Sequence, residues 1–418
     1  MKGTYHIMKD LIFSPADILL PKDNFDKWSV IACDQFTSRP DYWREAENIA
    51  GSYPSTINLI FPEAFLETAD KAETINNINS SMVKYINDGV YNEYKNALIY
   101  VERTQSDGTL RAGIVGAVNL DEYDYNEGST SKIRATEKTV IERIPPRVDI
   151  RRNAVTELPH VLILIDDKNK HIIENLTVSA AQGELELLYD FDLMLGGGHI
   201  KGYLIPSSLN YSICQNIASL GQNDSGITLA VGDGNHSLAS AKACYMEDPE
   251  HISNYALVEL VNIHSDAIQF EPIYRTVEKC DPNALLTSFK DFLTQNGATI
   301  VCSKSEGTQV INFLSQNHNE TMFINNAPHA LEVGTVQIFL DEYKKSNPEI
   351  IVDYIHGEEE TTSVATKDNA CGFLYSGINK SDLFPAIAKE GVLPRKTFSM
   401  GHAQDKRYYT EVRKIRKI

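Results

Sequence analysis

Short apolar runs separated by gaps of hairpin length are the feature that most constrains the fold of this chain. Their length and composition predict β-strands, and two longer stretches with helical spacing, "YWREAENIA" and "INNINSSMVKYINDG", predict helices. Because several strands follow one another directly, we expect an α+β fold with a mixed, largely antiparallel sheet and flanking helices. The predicted strands are "WSVIACD", "NALIYVE", "AGIVGAVNL", "HVLILID", "IKGYLIP" and "ITLAVG".

The length of the chain predicts more than one compact region. Its 418 residues exceed one ordinary core, and the 42% that are hydrophobic can fill several. We expect an N-terminal α/β region over residues 1–130 and a core over residues 131–280. Residues 281–350 alternate between helix and strand patterns and predict a small α/β lobe. Residues 351–418 contain the strand-like "KRYYTEV", and we expect them to return to the core.

The composition excludes several function classes. The net charge of −18 opposes a nucleic-acid partner, because phosphate contacts need clustered Lys and Arg. The six cysteines are scattered, without the spacing of a zinc site. No apolar run reaches the roughly 18 residues of a membrane span, and no signal peptide is evident. We therefore expect a cytoplasmic protein without a membrane partner; the composition predicts no oligomeric state.

One basic segment departs from the acidic average. Lys132–Arg152 carries seven basic and three acidic residues. Such an island is typical of a site for a small anionic ligand. It is equally compatible with a solvated surface that is stabilised by pairs such as Lys138 with Glu142.

The stretch "LAVGDGNHSLASAKACYMEDP", Leu229–Pro249, predicts a strand, a tight turn and a helix. The turn concentrates Asp233, Asn235 and His236 between glycines, where the first amides of a helix favour an anion. We expect Asp233 and His236 to face a solvent-accessible pocket. The alternative is that Asp233 or Asn235 merely caps the helix while His236 packs against the strand.

Familiar nucleotide-binding motifs are absent from the sequence. The glycines of "LGGGHIKGYLIP" lack the spacing of a phosphate-binding P-loop and predict a turn before a strand. There is also no dinucleotide-binding glycine pattern, no kinase catalytic loop and no nucleophile elbow of the hydrolase type.

Five segments carry a family resemblance: "VGDGNHSLASA", "NLIFPE", "TEKT", "EPIYRTV" and "GVLPRKTF". Together they resemble the domain of unknown function family 1015 over almost the whole chain. "VGDGNHSLASA" is similar to the family's Ala-Asp-Gly-His-His-Arg-Tyr turn. The other similar segments are the "NLIFPE" strand at Asn58–Glu63, "TEKT" at Thr136–Thr139, "EPIYRTV" at Glu271–Val277 and "GVLPRKTF" at Gly391–Phe398.

The family turn also resembles that of the ParB and sulfiredoxin-like superfamily, which includes free serine kinases. The resemblance implies a ParB/sulfiredoxin-like core and phosphoryl transfer from a nucleotide to a small hydroxyl metabolite, with free L-serine as a candidate. It implies a nucleotide, ATP or ADP, and Mg²⁺ as cofactors.

The turn departs from the family pattern at two positions. Asn235 replaces a His and Ser237 replaces an Arg, so a fixed positive charge is lost. Asn235 also stands where sulfiredoxin-like chemistry needs a reactive Cys, which excludes sulfinic acid repair. We expect at least two cations from other family-like segments to compensate by lying near the turn. These are Arg134, Lys138, Arg275 and Lys396.

The resemblance and the chemistry of phosphoryl transfer assign roles to these side chains. Asp233, His236 and Glu137 are the predicted catalytic groups, and Asp233 or Glu137 would bind Mg²⁺ or act as the base. Two alternatives remain open, a nucleotide-binding regulator without turnover and a catalytically inactive scaffold. The predicted phosphate and nucleotide ligands are Gly234, Asn235, Ser237, Arg134, Lys138, Arg275 and Lys396.

Overall fold

The computed structural model describes residues 11–126, 128–139, 141, 144–158, 160–222 and 225–416. The chain forms two compact units. The first comprises Met1–Ile268 and Gly401–Ile418, and the second comprises Gln269–Met400.

Strands and helices alternate through the first unit. Its strands are β1 (Phe13–Ser14), β2 (Ala16–Pro21), β3 (Tyr91–Ala97), β4 (Ile99–Thr104), β5 (Leu110–Asn119), β6 (Tyr123–Asp124), β7 (Ile133–Ala135), β8 (Thr156–Glu157), β9 (Leu162–Ile165), β10 (Glu186–Asp192), β11 (His199–Leu204), β12 (Leu229–Asp233), β13 (Tyr255–Asn262) and, at the C-terminus, β21 (Arg413–Lys414). Its helices are α1 (Pro40–Ala50), α2 (Lys71–Asn87), α3 (Ile144–Arg151), α4 (Ile173–Ala181), α5 (Ser207–Leu220) and α6 (Asn235–Glu247).

A ten-stranded mixed sheet organises the first unit. Its order is β10-β11-β4-β5-β13-β9-β12-β7-β6, with β1 also paired to β5. β9 runs parallel to β13, and β7 runs parallel to both β12 and β6, whereas the other recorded pairs are antiparallel. The expected α+β class with a mixed, largely antiparallel sheet is therefore confirmed. Among the described residues, no helix is both long and apolar enough to span a bilayer.

The second unit has a separate sheet and core. Its strands are β14 (Phe270–Glu278), β15 (Thr299–Val301), β16 (Gln309–Ser315), β17 (Asn319–Asn325), β18 (Ile351–His356), β19 (Ala370–Tyr375) and β20 (Phe398–Met400). Its helices are α7 (Pro282–Gln295), α8 (Glu332–Ser346), α9 (Glu358–Ala365) and α10 (Leu383–Glu390). The sheet order is β15-β17-β16-β19-β14-β18, with β20 on β14, and all these pairs are antiparallel. Phe289, Phe313, Phe339 and Phe373 lie at the centre of its core.

The compact units do not follow the boundaries expected from the sequence. No boundary falls at residue 130, because β4 and β5 share a sheet with β11 and β13. The second unit begins before residue 281, since β14 lies in the middle of its sheet, and it extends beyond residue 350 to include β18, β19 and β20. Only the segment from Gly401 onward rejoins the first unit. The sequence does not reveal this boundary, because long-range strand pairing leaves no local signal.

Three expected strands are corrected by the structure. "WSVIACD" and "KRYYTEV" meet at the single bridge Ile31↔Arg407 instead of forming ladders of their own. "NLIFPE" forms 3-10 turns at Thr56–Leu59 and Glu63–Phe65. There the Ser55 side chain accepts a hydrogen bond from the N–H of Ile57, which stabilises a turn, and Pro62 has no N–H to donate to a ladder.

Candidate functional site

The turn between β12 and α6 has a backbone that strongly favours glycine. Gly234 has a φ of +83°, in the left-handed region, and α6 begins at Asn235. A Cβ atom at Gly234 would lie 3.0 Å from the Cα atom of Val161. The predicted strand, turn and helix are therefore present, and the turn packs closely against the segment that leads into β9.

Side-chain capping does not explain the polar residues of this turn. Within the described part of the chain, the N-terminus of α6 has no side-chain cap. The Oδ1 atom of Asp233 accepts a hydrogen bond from the N–H of Gly234 at 2.9 Å. The Oδ1 atom of Asn235 is buried, with no hydrogen-bond partner among the described residues. The alternative that Asp233 or Asn235 merely caps the helix is therefore wrong.

The second carboxylate oxygen of Asp233 faces a lysine from the C-terminal segment. Lys406 Nζ lies 3.4 Å from Asp233 Oδ2, and the two side chains are 25% and 28% exposed. The carboxylate of Asp233 raises the pKa of Lys406, an effect that burial opposes and that Asp34 and Glu137 reinforce. Lys406 is therefore a charged ammonium at neutral pH, paired with Asp233 and stabilised electrostatically by two further carboxylates.

Lys406 reaches the turn because its segment pairs with residues from the N-terminal region. Ala32 N–H donates to Lys406 O at 2.7 Å, and Tyr408 N–H donates to Val30 O at 3.0 Å. These bonds flank the Ile31↔Arg407 bridge. The pairing places Asp34, two residues beyond Ala32, within electrostatic range of Lys406.

An arginine of the basic island contributes a second cation. Arg147, in α3, forms an ion pair with Glu63, and one of its nitrogens lies 3.9 Å from Asp34 Oδ2. Burial would raise the pKa of Asp34, but His160, the side chain of Gln35, Arg147 and Lys406 together hold that pKa below its usual value. Asp34 is therefore a carboxylate at neutral pH.

His160 lies between these charges and the first turn of α6. Its Nε2 atom is 3.2 Å from Ser237 Oγ, and its ring contacts the edge of Tyr408 at a centroid distance of 4.8 Å. Burial lowers the pKa of His160, although Asp34 and Asp233 act in the opposite direction. The imidazole is therefore neutral at pH 7 and is able to accept a proton.

We give the name turn cluster to the charged and titratable side chains connected in this way, which are Asp34, Glu63, Arg147, His160, Asp233 and Lys406. The neighbouring thiol of Cys33 is not a nucleophile, because burial, reinforced by Asp34, raises its pKa to about 12.

Several side chains predicted from the sequence lie at the same edge of the sheet. β7 runs parallel to β12, so Glu137 and Lys138, just after β7, lie at the edge where Asp233 ends β12. The hydrogen bond from Thr136 Oγ1 to Val231 O, 2.8 Å long, ties the two strand ends together. Arg134, within β7, donates from Nε to the carbonyl of Ser131 at 2.8 Å.

Other predicted features of this region have different outcomes. The pairing of Lys138 with Glu142 lies outside the described residues, because Glu142 is not described. His236 is half-buried, and its carbonyl accepts a hydrogen bond from Ser240 Oγ at 2.7 Å. Ser237 lines a cavity beside the turn, whereas Asp233 and His236 do not.

Arg275 and Lys396 belong to the second unit and are engaged there. Arg275 is 0% exposed. Its guanidinium donates to Gln337 Oε1 at 2.8 Å and to the carbonyls of Ile273, Lys396 and Arg395. Lys396 Nζ lies 5.1 Å from the centre of the Tyr354 ring. We therefore leave both residues out of the candidate site, and the expectation that at least two of the four cations lie near the turn stays a prediction.

The described residues contain no group of three or more His, Cys, Asp or Glu side chains arranged to hold a metal ion. Mg²⁺ usually needs only one or two carboxylates, together with phosphate oxygens. Asp34 and Asp233, which are 28% exposed each, suit that coordination. The chemistry of these two side chains therefore suits Mg²⁺.

Sequence reasoning missed part of the turn cluster. Lys406 lies in a segment interpreted as a charged end strand, and Asp34 and His160 stand at the ends of apolar runs that predicted strands. Asp233 was predicted directly, Arg147 lay in the basic island, and Glu63 lay in the family-like segment "NLIFPE". The polar residues that end "WSVIACD" and begin "HVLILID" were the available indication.

Comparisons with known proteins place the chain in a family context. The model of "Protein of unknown function (DUF1015)" matches residues 14–369. No curated protein matches the chain. Among solved structures, a mutant free serine kinase in complex with ADP aligns at 11% identity and a TM-score of 0.39, over 72% of this chain and 91% of its own.

Two further solved structures align over similar lengths. A conserved hypothetical protein from Pyrococcus furiosus shows 11% identity and a TM-score of 0.34, over 68% of this chain and 89% of its own. SbnI from Staphylococcus aureus, with a C-terminal truncation, shows 10% identity and a TM-score of 0.35, over 69% of this chain and 82% of its own.

Proposed function

We propose that this chain, which belongs to the DUF1015 family, whose description leaves its function open, is a nucleotide-dependent phosphotransferase. It would act on a hydroxyl group of a small metabolite. ATP or ADP is the first donor to test, and free L-serine is the first acceptor. The observation that supports the proposal is the turn cluster, in which cations and carboxylates surround the start of α6.

Phosphoryl transfer depends on positioning and on neutralising the charge of the phosphate groups. Lys406 and Arg147 supply positive charge, and the start of α6 offers N–H groups and the positive end of a helix dipole. In this proposal the backbone at Gly234, Asn235 and Ser237 cradles phosphate oxygens. The missing Arg of the family turn is thus replaced by cations from other segments. Arg134 and Lys138 stay predicted phosphate ligands, and His236 and Glu137 stay predicted catalytic groups.

Asp34 and Asp233 would hold Mg²⁺ when it binds with the nucleotide, where it would neutralise charge on the phosphates. The Gly234 N–H fixes one oxygen of Asp233, and Lys406 faces the other. The lowered pKa of Asp34 keeps that group ionised, as a metal ligand must be.

His160 would accept the proton of the acceptor hydroxyl. If Nε2–H donates to Ser237 Oγ, Nδ1 carries the lone pair that takes the proton. The hydroxyl oxygen then forms a bond to the terminal phosphorus as the bond from that phosphorus to the nucleotide oxygen breaks. The proton passes from His160 to solvent after product release, which completes the cycle.

The proposal is tested by incubating the protein with Mg²⁺ and one donor at a time: ATP, ADP, CTP or pyrophosphate. Each donor is combined with serine and a panel of hydroxy amino acids and polyols, and phosphorylated products are detected by mass spectrometry. We expect a phosphorylated acceptor that depends on both donor and protein. Absence of product with every pair would contradict the proposal.

A thermal-shift series with the same donors separates the remaining alternatives. Nucleotide-dependent stabilisation without product would identify a regulator, and no stabilisation would identify a scaffold. A ligand at 100 times its dissociation constant stabilises the folded state by about 2.7 kcal/mol, which this method detects readily.

A further inference from the structure

A cavity of about 130 Å³ opens beside the turn cluster in the first unit. Cys33, Arg147, His160 and Ser237 line it and also contact or belong to the turn cluster. We infer that this cavity holds a compact apolar group of the phosphoryl acceptor, so that the acceptor is an alcohol with an aryl or branched alkyl body. This inference rests on the proposed function, phosphoryl transfer to the hydroxyl group of a small metabolite, and it narrows that substrate class to alcohols with a larger apolar body than serine.

The walls of the cavity are largely apolar. Leu59, Phe61, Met82, Leu158 and Val161 are all buried and face the space. A cavity of about 150 Å³ with walls of this kind accepts a benzene-sized molecule in another protein. The cavity therefore matches a ring or a branched chain of similar size, which serine does not carry.

The charged groups in the wall already have ion-pair partners. Glu157 accepts hydrogen bonds from Arg151 at 2.5 Å, from Arg413 at 2.7 Å and from the N–H of Leu257 at 3.0 Å. Arg147 is paired with Glu63. Each charged side chain named here therefore already has a partner of opposite charge, and an uncharged body is favoured.

Three residues of the lining each carry a buried polar atom that lacks a hydrogen-bond partner among the described residues. These atoms are Thr156 Oγ1, Arg151 Nε and His160 Nδ1. Thr156 is only 1% exposed. Leaving such atoms unsatisfied costs about 1–3 kcal/mol each, so a ligand oxygen that reaches one of them is favoured. An alcohol with an apolar body meets both requirements.

A nucleobase suits this cavity less well. It carries nitrogen atoms around its whole rim, and most of the wall is hydrocarbon that leaves such atoms without partners. The acceptor hydroxyl, by contrast, would lie beside His160 Nδ1, the atom that takes its proton in the proposed reaction.

The test compares two probes of one shape, toluene and benzyl alcohol, which differ by a hydroxyl group. Binding to the full chain is measured by thermal shift and by ligand-observed NMR. We expect both probes to bind wild type and neither to bind Ala154→Leu, because Ala154 lines the cavity and leucine fills it. Loss of binding in Ala154→Leu counts only if its melting temperature stays near that of wild type.

Thr156→Val is the second variant, because it keeps the shape and removes only the hydroxyl. Since that hydroxyl has no partner among the described residues, the variant should be at least as stable as wild type. We expect benzyl alcohol to bind about fivefold more weakly, as for one lost hydrogen bond of about 1 kcal/mol. Toluene affinity should not change.

Failure of the inference and failure of the proposed function give different results. If neither probe binds wild type, or if Ala154→Leu binds both, the cavity assignment is overturned, whatever the kinase assay shows. If ADP displaces the probes and Ala154→Leu loses ADP, the cavity is a nucleobase pocket and the assignment is again overturned. If the probes bind as expected but no alcohol is phosphorylated, the acceptor role falls together with the proposed function.

Discussion

At the scale of single residues, His160 gives the turn cluster a measurable pH dependence. Burial holds the pKa of its folded form below the unfolded value of about 6.5. The unfolded chain therefore binds more protons, so the stability that neutral His160 contributes is present above that pH and is lost as the pH falls. We expect the melting temperature of wild type to fall more steeply between about pH 7 and pH 5 than that of His160→Gln.

His251 offers a control of the same residue type. Its side chain is 65% exposed and pairs with Asp248. His251→Gln, measured over the same pH range, is the reference for removing a histidine from an exposed position. Equal slopes for His160→Gln and wild type would show that the imidazole is not held neutral by the fold.

At the scale of elements, the turn between β12 and α6 depends on Gly234 for two separate reasons. Its φ of +83° disfavours any side chain, and a Cβ atom would press against Val161 at 3.0 Å. Gly183 has a φ of +73° but nothing within 4 Å of its Cβ position. Left-handed backbone costs about 1–2 kcal/mol for a non-glycine residue, so both alanine variants should lose about that much stability.

Gly234→Ala should lose measurably more than Gly183→Ala, because only the former adds a steric contact. Urea unfolding of the two variants beside wild type measures the difference. Equal losses would mean that the packing of the turn against Val161 contributes nothing.

Local elements could be predicted from the sequence where a single stretch of residues determines the structure of the element. β12, the turn and α6 follow from an apolar run, a glycine and a series of helix formers, and the antiparallel pairs follow from short gaps between strands. Lys406 and Asp34 were not predictable as site residues, because a single bridge, Ile31↔Arg407, brings their segments together. Such a bridge forms through tertiary packing, and neither segment encodes it alone.

At the scale of the whole molecule, the division into two units has a direct consequence. Gln269–Met400 contains a complete sheet and the aromatic core around Phe289 and Phe373. We expect a fragment of residues 269–400 to fold alone and to melt cooperatively, as monitored by circular dichroism. A fragment without a cooperative transition would contradict this expectation.

The first unit, unlike the second, depends on a distant part of the chain, the C-terminal segment that begins at Gly401. The backbone of this segment bonds to Leu19, Val30 and Ala32, and the segment supplies Lys406. A chain that ends at Met400 should therefore lose stability in the first unit and lose nucleotide binding, while the transition of the second unit persists. An unchanged melting profile would show that these contacts do not stabilise the first unit.

One rate comparison tests most directly whether the turn cluster is the site of phosphoryl transfer. Asp233→Asn keeps the size of the side chain and removes its charge, and Asp41→Asn makes the same change at a side chain that is 93% exposed on α1. With the best donor and acceptor pair, and with variants matched in melting temperature, the initial rate of product formation is measured by mass spectrometry. We expect Asp233→Asn to lose at least about 100-fold in rate, the scale for a group engaged in the reaction, and Asp41→Asn to match wild type. Product formed by Asp233→Asn at the wild-type rate would contradict a role for the turn cluster in the reaction.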